Sequence, residues 1–177
     1  GYVTFESMAA QSADAAGVHA QGAFSRWNVS LGRLQSLGLH DAVYLGAAGQ
    51  WANRNLDPSQ QMVVGGPGSV RGYDVDALSG AAGYQFTAEL RHSFSRPWYG
   101  LWQAIAFMDA AHLRVDEKVF APGPNAANLT SAGAGLSWTG PAQVQASLTA
   151  AAPIGGRPEL AGDAASARVW IQASKGF

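Results

Sequence analysis

Few side chains in this sequence could do chemistry, and most stand where they cannot act together. His92 is followed by Ser93, a base and a hydroxyl of the kind that form a nucleophile pair, but successive residues of a strand face opposite sides and do not meet. Asp109 and His112 are three apart and on a strand also face opposite ways. The four histidines, His19, His40, His92 and His112, are scattered and there is no cysteine, so neither a metal site nor thiol chemistry has a basis. The stretch GGPGSVRG is not a dinucleotide loop, because Arg71 stands where a glycine is needed counting from Gly66, and no helical pattern follows. Asn128 to Thr130 matches a glycosylation sequon but lies inside a strand pattern. No catalytic residue, cofactor or metal is expected. What remains is Arg71 itself, a full positive charge at the centre of GGPGSVRGYD, Gly65 to Asp74. Such a charge needs water or an answering carboxylate.

The elements that must position it are written in an unusual composition. Charged residues make up 13% of the 177, well under the roughly 25% of an ordinary soluble domain. Apolar residues reach 47% and the mean hydropathy is -0.03, yet no run of about 18 apolar residues could cross a bilayer as a helix. From Ala121 to Gly156 there is no Asp, Glu, Lys or Arg, while Asn, Gln, Ser and Thr recur. A net charge of -1 gives no basic stripe for nucleic acid. The start on Gly1 and Tyr2, with no basic segment, reads as that of a mature or truncated product.

Period two dominates the chain. Tyr84, Phe86, Ala88, Leu90 and Phe94 share one parity, broken only by His92, and Gln85, Thr87, Glu89, Arg91 and Ser93 share the other. This describes a strand with one apolar and one polar face. The same alternation sets Ala142, Val144, Ala146, Leu148 and Ala150 against Gln143, Gln145, Ser147 and Thr149. It sets Thr130, Ala132, Ala134, Leu136 and Trp138 against Ser131, Gly133, Gly135 and Ser137, and Val169, Ile171, Ala173 and Phe177 against Arg168, Gln172 and Ser174. Less regular strands are expected over Tyr2 to Ala9, His19 to Gly32, Leu39 to Ala52 and Leu101 to Leu113. That makes about eight strands and no helix.

Short connections (RLQSLG, SRPWYG, TGPAQ) alternate with long ones (QSADAAG, Asn53 to Gly80, RVDEKVFAPGPNAA, GGRPELAGDAASA). Strands of about 10 residues with short turns at one end and long loops at the other describe an antiparallel transmembrane β-barrel. Trp98, Tyr99, Trp102, Trp138 and Phe177 fall near strand ends, where interfacial girdles lie. A soluble β-sandwich also alternates, but its solvent face should carry Lys and Glu, whereas the polar face here is Ser, Thr, Gln and Gly.

The run GGPGSVRGYDVDALSG followed by GYQFTAELRHSF closely resembles the C-terminal barrel region of the two-partner secretion transporters, the hemolysin activation and secretion protein family, and more distantly the BamA-type assembly proteins. AFMDAAHLRV resembles the family's F-x-D-x-G strand, with Ala111 in place of its last glycine; SAGAGLSW resembles the strand after it, and ARVWIQASKGF the closing strand. The likeness covers the chain from about Ser59 to Phe177.

The resemblance implies that the loop, about residues 53–80, folds into the barrel lumen and that Arg71, within the motif Val70, Arg71, Gly72 and Tyr73, pairs with Asp109 on the inner wall. Parity points the same way. If Trp102, Ala104, Ala106 and Met108 face lipid, then Gln103, Phe107 and Asp109 face inward, and Glu89 faces inward on the preceding strand. Gly72 would let the backbone turn tightly beside the wall and Tyr73 would pack there.

The family further implies a bacterial outer-membrane location and passage of a secreted exoprotein of the TpsA type without nucleotide hydrolysis. It implies contact with outer-membrane lipid and the barrel assembly machinery, which would read Phe177 as its signal. A barrel-assembly factor and a passive channel are the other functions left open. The chain, 1–177, is then expected to be the C-terminal half of a barrel of about 16 strands, a count taken from the family, with the POTRA domains of such transporters absent from these residues. An open sheet carrying the loop across its polar face follows, because the interior of an eight-stranded barrel is just wide enough for side chains.

Overall fold

In the computed structural model, residues 1–94, 99–156, 158–162 and 165–176 are described. The order is β1 (Tyr2–Val3), α1 (Met8–Ala16), β2 (Gly22–Ala23), β3 (Arg26–Ser36), β4 (Asp41–Ala52), β5 (Met62–Val64), β6 (Leu78–Gly80), β7 (Ala82–Ser93), β8 (Leu101–Arg114), β9 (Ala126–Thr139), β10 (Val144–Pro153) and β11 (Arg168–Lys175). Seven of these form one sheet in the order β3-β4-β7-β8-β9-β10-β11, antiparallel throughout. Among the described residues β3 and β11 do not pair with each other, so the sheet is open, a partial barrel. β1 and β2 form one small ribbon and β5 and β6 another. Among the described residues no helix is long and apolar enough to cross a membrane.

Seven of the eight expected strands therefore lie in the main sheet. The eighth, Tyr2 to Ala9, does not form: only Tyr2 and Val3 are extended, and Met8–Ala16 is helical. Ser7 caps that helix, its Oγ accepting from the Ala10 amide at 3.1 Å, and five of the nine helical residues are alanine, the best helix former. The strand expected from His19 also starts later, at Arg26, and runs on to Ser36 through most of the expected turn.

Register lines up the alternating faces across strands. Ala47 stands beside Phe86, Phe86 beside Ala110, Ala106 beside Ala134 and Leu148 beside Ile171. On this face Leu31, Leu45, Phe86, Leu90, Met108, Leu148 and Ile171 are exposed. An exposed apolar sheet face bordered by Trp27, Trp51 and Tyr84 at the long-loop end and by Phe94, Trp102 and Trp138 at the other suits bilayer contact. Tyr99 is exposed, and its carbonyl accepts from Trp138 Nε1 at 2.9 Å; Trp98 and Phe177 lie outside the described residues.

The core sits on the opposite, polar face, beneath the long connection between β4 and β7. Val64, Val70, Tyr73 and Leu78 from that loop pack on Ala111, Leu113, Ala127 and Leu129 of β8 and β9. Burying each large aliphatic side chain contributes about 1.5 to 3 kcal/mol, which seats the loop on the sheet. Ala111 takes part in this cluster at 4% exposure, so its methyl group is absorbed as packing between wall and loop. Polar groups at the loop base are satisfied as well. Asn55 Nδ2 donates to the Val18 and Lys118 carbonyls, both at 2.8 Å, and Gln50 Nε2 donates to the carbonyls of Gln60 and Ala81.

Candidate functional site

Arg71 is carried to the polar face of the sheet by the β5–β6 ribbon, and its fork reaches two strands. Nε donates to Asp109 Oδ2 at 2.9 Å, Nη2 to Asp109 Oδ1 at 2.7 Å, and Nη1 to Glu89 Oε1 at 2.7 Å. The Arg71 amide adds a bond to Asp109 Oδ2 at 3.1 Å. Arg71, Glu89 and Asp109 are 8%, 8% and 2% exposed, so the charges are screened by one another rather than by water. Desolvation works against the guanidinium's charge, but hydrogen bonding and attraction to Asp109, then to Glu89, outweigh it and hold its pKa above the ordinary arginine value.

Asp109 and Glu89 come together because Asp109 pairs with Thr87 and Phe107 with Glu89 across β7 and β8, which puts the two carboxylates diagonally on one face. Phe107 lies between wall and loop with the Arg71 Cζ 3.4 Å from its ring centre, a cation–π contact. Three further side chains complete the set. Thr87 Oγ1 donates to Asp109 Oδ1 at 3.0 Å and Ser131 Oγ to Asp109 Oδ2 at 3.3 Å, while Arg91 Nη2 donates to Glu89 Oε2 at 2.6 Å. Arg71 and Arg91 thus face Glu89 and Asp109, two charges of each sign, and the cluster closes neutral.

Val70 is fully buried and Tyr73 is 1% exposed. The Tyr73 ring fills the cluster, and its hydroxyl is buried without a hydrogen-bond partner among the described residues. Gly72 meets the wall. A Cβ placed there would lie 2.6 Å from Ser131 Cβ and 2.8 Å from the backbone of both Ala152 and Pro153. Gly72→Ala should therefore cost the seated loop about 1 to 3 kcal/mol as an overpacking change, read as a lower melting temperature of loop protection against protease; unaltered protection would show that the wall yields.

Two contacts fall on β11. Trp170 Nε1 donates to the Arg71 carbonyl at 2.8 Å, and the Arg168 guanidinium pairs with Asp74. Neither residue is marked out by the alternation beyond its inward parity. The signal that could have found them is that parity together with an Arg and a Trp in an otherwise uncharged Gln and Ser face.

The arrangement does no bond chemistry; it is a charged clasp that fixes a loop across a polar wall. The family model for haemolysin secretion/activation protein ShlB/FhaC/HecB matches residues 2–154. The outer membrane transporter CdiB of Escherichia coli is 33% identical over 135 residues, which are 74% of this chain and 22% of that protein. The heme/hemopexin transporter protein HuxB of Haemophilus influenzae (strain 86-028NP) is 27% identical over 137 residues, 76% of this chain and 24% of that one. Among solved structures, CdiB from Escherichia coli superposes with a TM-score of 0.75 at 28% identity, over 89% of this chain and 28% of that chain. The chain spans less than a third of each of these relatives.

Proposed function

We propose a function for this chain from the fact that it belongs to the haemolysin secretion/activation protein family ShlB/FhaC/HecB: it is the C-terminal part of a larger outer-membrane barrel that passes a secreted partner polypeptide to the surface of a Gram-negative cell. The observation that carries this reading is the inner wall. Outside the clasp it presents Ser30, Gln85, Gln103, Ser137, Gln145, Ser147 and Gln172 and few charges. Such a wall can hydrogen-bond a passing extended chain without the strong charge sites that select ions. The apolar face is then the lipid contact, and the two sheet edges at β3 and β11 pair with strands contributed by the rest of the barrel, since bilayer cannot satisfy open edges.

Co-expression with a candidate secreted polypeptide, sought in the reading frame beside the barrel gene, tests the reading. Export of that polypeptide only when the barrel gene is present supports it; export without the gene sinks it. Loss of many unrelated barrels from the outer membrane on deletion would assign the protein to barrel assembly instead.

In this reading Phe177 is the terminal signal for the assembly machinery. Deleting it should lower the amount of barrel in the outer membrane severalfold, about the effect of losing one buried aromatic anchor, with channel conductance of the inserted molecules unchanged. Normal abundance after the deletion would remove Phe177 from that role.

A further inference from the structure

The four residues Arg71 to Asp74 touch five consecutive strands. Arg71 reaches Glu89 on β7 and Asp109 on β8. Gly72 lies against Ser131 on β9 and against Ala152 and Pro153 on β10. The Arg71 carbonyl accepts from Trp170 on β11, and Asp74 pairs with Arg168 on the same strand. We propose that this tetrapeptide is a brace that holds β11 in place, with Trp170 and Arg168 as positioning residues that couple the seat of the loop to the last strand of the sheet.

The case for such a brace rests on what β11 offers the loop. It is eight residues long, the shortest strand of the sheet, and it pairs with β10. Its outward residues Val169 and Ile171 are exposed, so they gain little from packing within the chain. Its inward residues Arg168 and Trp170 are the ones the loop engages. Beyond its ladders, β11 thus gains contacts to a different element, the loop, and such coupling acts in both directions. Loosening β11 should free the loop, and freeing the loop should loosen β11. The fork on Asp109 and Glu89 sets where the loop sits along the wall, and the bonds to β11 extend that fixed point to the sheet edge. The proposal concerns how the loop is seated and stands whether or not the barrel exports a partner.

Hydrogen exchange on the full-length protein in detergent tests it, read separately on peptides covering the loop and β11. Trp170→Phe keeps the ring and removes the donor; Asp74→Arg sets like charges together; Asp74→Arg with Arg168→Asp restores an opposite pair. Exchange in both peptides should rise by about threefold to tenfold in the first two variants, the worth of one hydrogen bond or ion pair, and return toward wild type in the charge-swapped protein. Ile171→Ala, on the outward side of β11, should leave the loop unchanged. The brace is overturned if Trp170→Phe and Asp74→Arg leave loop exchange at the wild-type rate, if β11 loosens without the loop, or if the swap fails to restore protection. Should Trp170→Phe fail to insert, the charge reversal and its rescue decide the matter alone.

Discussion

Arg71→Ala is expected, under the proposed function, to abolish most export while leaving the barrel in the outer membrane. Its removal leaves Glu89 and Asp109 with Arg91 as the one remaining cation of the cluster, and Asp109, 2% exposed, with only the Thr87 and Ser131 hydroxyls and the backbone amide at residue 71. Breaking a buried pair by taking away one partner costs about 3 to 5 kcal/mol. At about 1.4 kcal/mol per tenfold, the seated loop loses roughly two to three and a half powers of ten in population. Arg71 takes no part in the strand ladders, and alanine keeps the backbone amide and carbonyl that bond Asp109 and Trp170, so the sheet still assembles. Arg71→Lys should fall between, because an ammonium can meet one carboxylate but cannot span Asp109 and Glu89 with a planar fork. Export assayed beside barrel abundance separates the outcomes. Unchanged export in Arg71→Ala ends the functional role, and loss of the barrel itself would make the cluster an assembly feature.

Leu129→Ala is the second large effect. Leu129 is fully buried under the loop, packed in the cluster with Val70, Tyr73 and Leu113. Truncation removes transfer energy and leaves a cavity, about 2 to 5 kcal/mol for a buried leucine. The cost falls on loop seating, because Leu129 faces away from lipid. Trypsin cleavage after Arg71 in detergent-solubilised protein reads it directly, since clipping follows the open population when closing is fast. Cleavage should accelerate at least tenfold, whereas Leu136→Ala, on the outward parity of the same strand, should leave it near wild type. Equal rates for the two variants would mean that the apolar cluster does not hold the loop.

What could be read from sequence, and what could not, divides along physical lines. The strands from Asp41 to Lys175 are legible because a sheet with one lipid face and one polar face writes period two into every segment, as in Tyr84 to Ser93. The inward direction of Asp109 and Glu89 can be read from the same parity, and Arg71 from its motif. The helix at Met8–Ala16 could not be read in this way, because alanine serves a small-residue strand face and a helix equally and the cap at Ser7 is a single residue. Trp170 and Arg168 are marked only by inward parity and by standing in a Gln and Ser face, which does not say what they touch. Their importance comes from the loop crossing five strands to meet β11, a long-range contact that no local pattern records. Thr87 and Ser131 stand on the polar parity, but nothing local distinguishes them from the Ser and Gln around them, whereas Arg91 is marked by its charge two residues from Glu89 on the same face.

The central claim, that an exported chain passes along the polar face of this sheet, is tested most directly by site-specific photo-crosslinking during export. A photoreactive residue is placed at inward Gln103 or Gln145 and, one position along each strand, at outward Ala104 or Ala146, in the full-length protein with a secreted partner stalled by a folded C-terminal fusion. Adducts to the partner at Gln103 and Gln145, and none at Ala104 and Ala146, are the predicted result. Adducts at the outward positions alone, or at none of the four while stalled partner accumulates, would contradict it.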